Sequence, residues 1–342
     1  MNFSELPLPP SGKTEWPWTD GSPANSGVLR NGREWPRVTV GTPSFNQAQY
    51  LERTIRSILL QNYPNLEYFV IDGGSTDGSV EIIKKYARHL TYWESGKDRG
   101  QSDALNKGFK RATGEWVGWI NSDDLYLPGA LQALMTKASA DEKLEWVAGS
   151  VQFVRLSDPQ IDEVRLQGQN RDLIDWLLVR SEFHQPGAVW KRSLFDRFGY
   201  LRDDLQYAFD WEFWCRLSAN GISPETIARP VALFRMHESS KTSSSWDRFC
   251  AEDQEIVEMY LNRFEGAERR ALEQRLTDLV CTRIRHESRR LLPDGENREL
   301  FRRVCAAART RPRILAKKTP YELLLYSAVG AVAKPLRRKH VG

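Results

Sequence analysis

The chain has 342 residues, of which 40% are hydrophobic and twelve are Trp, and it carries a net charge of +4. That length holds one large catalytic domain with an appendage, or two modest domains, and the composition excludes a disordered or fibrous chain. No nucleic-acid-binding motif accompanies the small positive charge, so nucleic acid is not an expected partner. Cys215, Cys250, Cys281 and Cys305 are widely separated without a C-x-x-C pair, which reads as packing thiols in a reducing compartment. The start of the chain lacks a basic stretch followed by an apolar core, so no secretory signal is expected and the expected location is the cytoplasm.

Residues 1–36 are rich in Pro, Gly, Ser and Asn, with Trp16, Trp18 and Trp35 isolated among them. They show no periodicity and read as an irregular arm packed by its tryptophans. From Arg37 strand, turn and helix alternate, the pattern of an α/β domain with a mostly parallel sheet and crossover helices, expected over 37–245. Val38 and Val40 open the first strand, and Leu51, Ile55, Ile58 and Leu59 define one apolar helix face that ends at Asn62-Tyr63-Pro64-Asn65. A second strand at 66–71 runs into a glycine-rich turn and a helix through Ile82, Ile83 and Tyr86. A third unit places a strand at 90–93, a turn at 97–101 and a helix carrying Leu105, Gly108, Phe109 and Ala112. The apolar run at 116–120 is the next strand. From about 130 to 236 the elements mix: 146–154 and 188–190 read as extended and 171–180 and 210–219 as helical, and this half is expected to carry the acceptor pocket.

Residues 246–342 read as a charged helical extension, interrupted near Pro293, Pro312 and Pro320. The apolar run at 323–333 is shorter than the roughly 20 residues that span a bilayer, so it would at most lie on one. Basic clusters at Arg302-Arg303, 309–313, Lys317-Lys318 and Arg337-Arg338-Lys339 suggest peripheral contact with an anionic membrane face; a solvated helical surface or a packing face is the alternative.

Chemistry concentrates at strand ends. Asn121-Ser122-Asp123-Asp124 directly follows the run at 116–120, and ligands of open α/β sheets bind where strands deliver side chains at their carboxyl ends. Paired carboxylates there suit a divalent cation that shares its remaining sites with water and phosphates. The alternative is that Asp123 and Asp124 cap the helix leading through Pro128 and Gly129. The loop from Asp72 to Ser79 opens a helix but is no Walker loop: Gly73 and Gly78 have the right separation, yet Ser79 stands where Lys is required. A G-x-G-x-x-G pattern is also missing, which argues against a dehydrogenase. A carboxylate such as Asp72 at a strand end suits the imide N–H of a pyrimidine.

The series Thr42-Pro43-Ser44-Phe45-Asn46, Asp72-Gly73-Gly74-Ser75-Thr76-Asp77-Gly78, Asp98-Arg99-Gly100-Gln101-Ser102-Asp103-Ala104-Leu105-Asn106-Lys107-Gly108 and Asn121-Ser122-Asp123-Asp124 resembles glycosyltransferase family 2. The resemblance implies the GT-A nucleotide-diphospho-sugar transferase fold, Rossmann-like with a mixed, mostly parallel sheet, and an inverting transfer from a nucleotide-sugar donor, expected to be a UDP-sugar. It implies that Thr42 and Ser44 line the nucleotide pocket, that Asp72 contacts the base, and that Asp103 and Lys107 lie near the ribose and diphosphate. Asp123 takes the metal place of the family's D-x-D element, binding Mn2+ or Mg2+, while Asn121 stands at its first position, where Asp is more usual. Phe209-Asp210-Trp211-Glu212-Phe213-Trp214-Cys215-Arg216-Leu217 resembles the family's E-D-x-x-x-x-x-R-L helix start with Phe209 in place of Glu, which makes Asp210 the general base. His237 is a candidate for metal or diphosphate. His184-Gln185-Pro186 resembles the segment bordering the acceptor pocket, which offers Gln185 for the acceptor. Trp211, with Trp214 and Trp190, offers a sugar-stacking face, with a buried core role as the favoured alternative. The expected acceptor is a glycan or lipid-linked hydroxyl in cell-surface polysaccharide synthesis. Asn121 and Phe209 leave one rival, a nucleotide-sugar-binding module with impaired catalysis.

Overall fold

The computed structural model describes residues 6–324 other than 23–26, 30–31, 156–157, 166–171, 180–182, 238–240, 242–244, 293–295, 318–319 and 321–322, with 158–162 and 290 described by backbone alone. Two compact units result, Met1–His237 and Glu238–Gly342.

In the first unit nine described strands form one sheet. They are β1 (Val38–Ser44), β2 (Leu66–Asp72), β3 (Tyr92–Ser95), β4 (Trp116–Trp119), β5 (Leu125–Tyr126), β6 (Trp146–Arg155), β7 (Asp158–Arg165), β8 (Ala188–Lys191) and β9 (Glu225–Met236). The order is β3-β2-β1-β4-β8-β6-β9-β5, with β7 paired to β6. The pairs among β3, β2, β1 and β4 are parallel. Beyond β4 the sheet is mixed: β8 runs antiparallel to both β4 and β6, β5 runs antiparallel to β9, and β6 and β9 are parallel. The carboxyl ends of β1, β2 and β4 therefore open on one edge, where the expected ligand site lies.

Helices α1 (Ala48–Leu59), α2 (Ser79–Tyr86), α3 (Gln101–Phe109), α4 (Ala130–Ala138), α5 (Leu173–Leu178), α6 (Ser193–Phe198) and α7 (Phe209–Ser218) complete this unit. Val38 and Val40 share a core with Leu51, Ile55 and Ile58 of α1. Strand side chains alternate between faces, and a Cβ on Gly41 would lie 3.5 Å from Leu105 and 3.7 Å from Phe109, so α3 packs where β1 presents no side chain. Gly108 repeats the device from the helix side, within contact of Phe69 and Ile71 of β2. An aromatic layer joins α3, β4, β8 and α7 through Phe109, Trp119, Trp190 and Phe213, with Trp119 and Trp190 edge to face at 5.1 Å.

The arm before β1 is knitted into this core. Leu6, Trp18, Leu29 and Trp35 are buried. Arg56 of α1, fully buried, donates to the carbonyls of Pro7, Pro17 and Trp18 at 2.8–3.0 Å and lies over the Trp18 ring. Burying a guanidinium is costly unless its donors are filled, and here the arm's backbone fills them.

The second unit is helical: α8 (Trp246–Tyr260), α9 (Gly266–Leu291) and α10 (Asn297–Thr310). Leu300, Val304 and Ala307, spaced four and three apart on α10, pack with Val280, Cys281 and Ile284 of α9. Ion pairs Arg303–Glu287 and Arg313–Glu273, both at 3.2 Å, rim that core. No helix of the described residues is long and apolar enough to cross a membrane. The cluster at Arg337-Arg338-Lys339 and most of the apolar run at 323–333 lie outside the described residues.

Candidate active site at the carboxyl ends of the strands

The loops after β1 and β2 interlock. Asn46, held at φ 52°, accepts from Thr76 N at 2.9 Å, and its own N–H donates to Ser75 Oγ at 2.7 Å. Asp77 Oδ2 accepts from Ala48 N at 2.9 Å and Ser79 Oγ from Gln47 N at 3.1 Å, so the first amides of α1 are filled by the neighbouring loop rather than left for an anion. Burial raises and four hydrogen bonds lower the Asp77 carboxyl, and the hydrogen bonds prevail.

Asp72 serves the same loop. Its Oδ2 accepts from Gly74 N, Ser75 N and Ser95 Oγ at 2.7–3.0 Å, its Oδ1 accepts from Ser75 Oγ at 2.5 Å, and the residue is 1% exposed. The sequence reading assigned Asp72 to the nucleobase; the structure shows its carboxylate committed to building the turn. Thr42 is likewise buried, accepting from the Tyr68 hydroxyl at 3.1 Å, and it lines the sheet interior instead of a pocket. Ser44 differs: its Oγ is buried with no partner among the described residues. Phe45, next along, is 61% exposed, a large apolar surface at the strand end that the sequence reading left unassigned.

Asp98 is the acidic group behind the glycines. A Cβ on Gly73 would meet its Oδ2 at 2.8 Å, so glycine there permits the approach. Burial pushes the Asp98 carboxyl above its ordinary value, with Asp103 and Asp72 adding to the shift against the Gly100 amide and Lys107. Asp103 and Lys107 are paired on α3 at 3.7 Å, and Arg99 holds Asp103 at 3.0 Å. Although burial works against it, Arg99 keeps the Asp103 carboxyl below its ordinary range.

The loop after β4 does not cap a helix, since α4 begins at Ala130 behind Gly129 and β5 intervenes. Instead it sits on a buried polar platform. The Thr54 hydroxyl of α1 is within 2.8 Å of the carbonyls of both Ser122 and Asp124. Arg235 of β9, 3% exposed, donates from Nε to the Asp123 carbonyl, from NH2 to Thr54 Oγ1 and from its backbone N to Asp124 Oδ1. Burial lowers the Arg235 guanidinium to about 10, against the pull of Asp124. Burial, aided by the Asp123 charge, raises the Asp124 carboxyl well above its ordinary range. Asn121 Oδ1 accepts from Gln101 Nε2 at 2.7 Å, tying the loop to the start of α3. Asp123 is the outward member: its side chain is 20% exposed and its Oδ2 lies 3.1 Å from His237 Nε2, with Tyr50 packed on the imidazole at 4.6 Å between ring centroids.

Asp210 occupies the first turn of α7, half-buried, its Oδ1 accepting from Trp211 N at 2.7 Å. Phe209, where the family pattern has Glu, is 5% exposed and packs on Trp119. Glu212 is bound at both oxygens by Arg216, which also donates to the carbonyls of Phe198, Gly199 and Tyr200. Of the two roles open to Trp211, the structure gives it the core one, not the acceptor-facing one: it is fully buried, its indole N–H donating to Trp176 O at 3.0 Å, so it offers no face to a sugar. Gln185, 6% exposed, donates to Trp119 O at 2.6 Å, and its Oε1 has no partner among the described residues.

A cation site can be judged from these donors. Among the described residues no group of three or more His, Cys, Asp or Glu side chains converges. Asp123 and His237 alone supply a carboxylate and an imidazole side by side, which fits a cation completing its shell with diphosphate oxygens and water, and the imidazole suits manganese better than magnesium.

Comparison with known proteins agrees with this layout. Residues 39–194 match the family model described as glycosyl transferase family 2. An uncharacterized glycosyltransferase of Mycobacterium tuberculosis (strain H37Rv) is 35% identical over 199 residues, covering 56% of this chain and 72% of the relative. TuaG of Bacillus subtilis, named for teichuronic acid biosynthesis, is 36% identical over 102 residues, 28% of this chain and 40% of that one. Among solved structures, Staphylococcus aureus TarS 1-349 in complex with UDP-GlcNAc superposes with a TM-score of 0.58 at 17% identity, covering 86% of this chain and 88% of that chain. The mannosyltransferase PcManGT from Pyrobaculum calidifontis, solved with GDP-Man and Mn2+, gives 0.52 at 22% identity, covering 87% of each chain. The chain belongs to glycosyl transferase family 2. Its first unit has the GT-A fold, and it is a glycosyltransferase.

Proposed function

We propose that the protein is an inverting transferase that moves a sugar from a UDP-sugar to a hydroxyl of a glycan or lipid-linked acceptor, in cell-surface polysaccharide synthesis. The observation that carries this reading is the outward carboxylate of Asp123 beside His237 at the strand edge. Asp210 is the general base: it takes the acceptor proton while the acceptor oxygen bonds to the anomeric carbon, and the bond from that carbon to the diphosphate breaks, releasing the nucleoside diphosphate. Asp123 and His237 would hold a divalent cation, which when bound neutralises charge on the departing diphosphate. Lys107 adds a second positive group, Ser44 lies at the nucleotide side of the site and Gln185 at the acceptor side. Phe45 offers an apolar face for the base. TuaG's name supports a polysaccharide role and the UDP-GlcNAc held by TarS supports the uridine donor.

Beyond residue 237 the chain has 22 Lys and Arg against 15 Asp and Glu, which supports contact of that unit with an anionic membrane face. Asn121 and Phe209 support the alternative of a donor-binding module without turnover. Calorimetric titration with UDP and GDP, with and without manganese, followed by hydrolysis of UDP-sugars and GDP-mannose, separates the two. Manganese-dependent UDP binding with slow hydrolysis that Asp210→Asn lowers about a hundredfold, to a still measurable residual rate, is expected; binding without any hydrolysis selects the module.

A further inference from the structure

Helix α3 touches both halves of the site. From its first residue Gln101 reaches Asn121 in the acidic loop. From its other face Ser102 and Asn106, one turn apart and both buried, reach the segment that leads into α7. Asn106 makes a two-point clamp on one residue: Nδ2 donates to Leu201 O at 2.7 Å and Oδ1 accepts from Leu201 N at 3.1 Å. Ser102 Oγ donates to Leu205 O at 3.2 Å. Gln206 Nε2 donates to Arg99 O at 2.9 Å, and the Arg99 side chain pairs with Asp203. Gly100, at φ 125°, completes the fit: a Cβ there would lie 2.2 Å from Gln206 Oε1. Arg216 holds the start of the same segment from α7 itself. Residues 198–206 are thus held at their start from α7 and along their length from α3, four residues before Asp210.

We propose that Asn106 is a positioning residue, with Ser102 and Gln206 as its helpers. By fixing Leu201 to α3, while Ser102 fixes Leu205 and Gln206 binds the Arg99 carbonyl just before the helix, it sets the distance between the general base Asp210 and the donor held at the acidic loop. The inference rests on the role of Asp210 given above. A side-chain amide suits the task because only a group with one donor and one acceptor on the same end satisfies both Leu201 groups, which are buried and costly to strand. Positioning errors of about 1 Å can cost on the order of a hundredfold in rate.

The test uses the full chain, with UDP and manganese as the binding probe and hydrolysis of UDP-GlcNAc or GDP-mannose as the rate probe. Asn106→Ala is expected to lower the hydrolysis rate tenfold to a hundredfold while UDP affinity stays within about twofold. Gln206→Ala, on a partly exposed side chain that folding tolerates, should do the same on a smaller scale. In an Asp210→Asn background the residual rate should fall less than about twofold on adding Asn106→Ala, because a base already lost cannot be displaced. Rate losses that multiply in the double variant, or a parallel loss of UDP affinity in both single variants, would overturn the assignment. If Asp210→Asn alone leaves hydrolysis intact, the base reading fails first and the inference falls with it, a result that the single variant separates from the others.

Discussion

Asp72 and Asp123 both stand at the carboxyl edge of the parallel strands, in motifs of equal prominence, and the structure uses them in opposite ways. Asp72 is 1% exposed and accepts four hydrogen bonds, three from its own loop and one from Ser95 at the end of β3. Asp123 has a fifth of its side chain exposed and faces a single imidazole, while its backbone carbonyl, not its carboxylate, takes the Arg235 guanidinium. The Asp72 carboxylate, its acceptor sites filled from its own loop and from Ser95 of β3, shapes the turn; the Asp123 carboxylate, its backbone anchored and its oxygens still available, is the one we propose for the ligand. The position of an acid at a strand end does not separate the two, but its donors do.

The widest separation between them should come from Asp123→Asn. Removing that charge is expected to abolish manganese-dependent UDP binding and lower donor hydrolysis about a hundredfold or more, with the thermal midpoint little changed. Asp72→Asn should behave the other way. It places an amide N–H2 against the N–H and O–H donors of Gly74, Ser75 and Ser95 and should cost about 3 kcal/mol of stability, read by denaturant unfolding. A UDP affinity that collapses for Asp72→Asn without loss of stability would break the distinction and return Asp72 to the nucleobase.

Much of the frame is legible in the residues because apolar periodicity is a local signal. β1, β2 and β4 begin at Val38, Leu66 and Trp116 as the runs imply, and α1 buries the face marked by Leu51, Ile55 and Ile58. The expected strand at 90–93 is displaced to Tyr92–Ser95, because a single 3-10 turn at Ala87–His89 follows α2. β5 has two residues and no periodicity to read. β9 is twelve residues long although Pro230 interrupts it, and it pairs with β6 through register shifts around Gly149 and Ser150, a bulge that only the partner strand reveals. Of the proposed site, Asp123 and Asp210 can be picked out as acids at a strand end and a helix start. The Asp123–His237 contact joins residues 114 apart, and the clamp of Asn106 on Leu201 joins residues 95 apart, distances over which one sequence carries no signal. Trp211 stayed open between two roles because an aromatic beside a candidate base has the same letter whether it stacks on sugar or fills the core.

The contrast extends to a third acid at the opposite ends of the same strands. Glu67 of β2, 3% exposed, accepts from the Thr39 hydroxyl, from Thr113 N and Oγ1 at 2.8 and 2.9 Å and from Gly114 N. Burial opposes its ionisation, but these donors prevail and hold the carboxyl below its ordinary value. A depressed folded pKa means stability that is present above the unfolded value and lost as pH falls through the folded one. Glu67→Gln is therefore expected to cost about 2 kcal/mol at neutral pH and less in acid, with UDP affinity untouched. An equal cost at every pH would show that packing, not the charge, matters there.

Two of the five histidines repeat the comparison of settings. His237 meets an acid, Asp123. His184 meets an edge-on Phe153 ring at 4.7 Å, and burial, with Arg165 assisting against Glu163, pushes its imidazole down to about 4. Its unfolded value is near 6.5, so the unfolded chain binds the extra proton between those two values, and stability falls as pH drops from 6.5 toward 4. Between pH 7 and 5.5 the loss from this one group is about 1 kcal/mol. Unfolding curves at the two pH values, on the wild type and on His184→Gln, check it. The variant should lose that part of the slope, and a slope left unchanged would mean that His184 takes up its proton inside the fold.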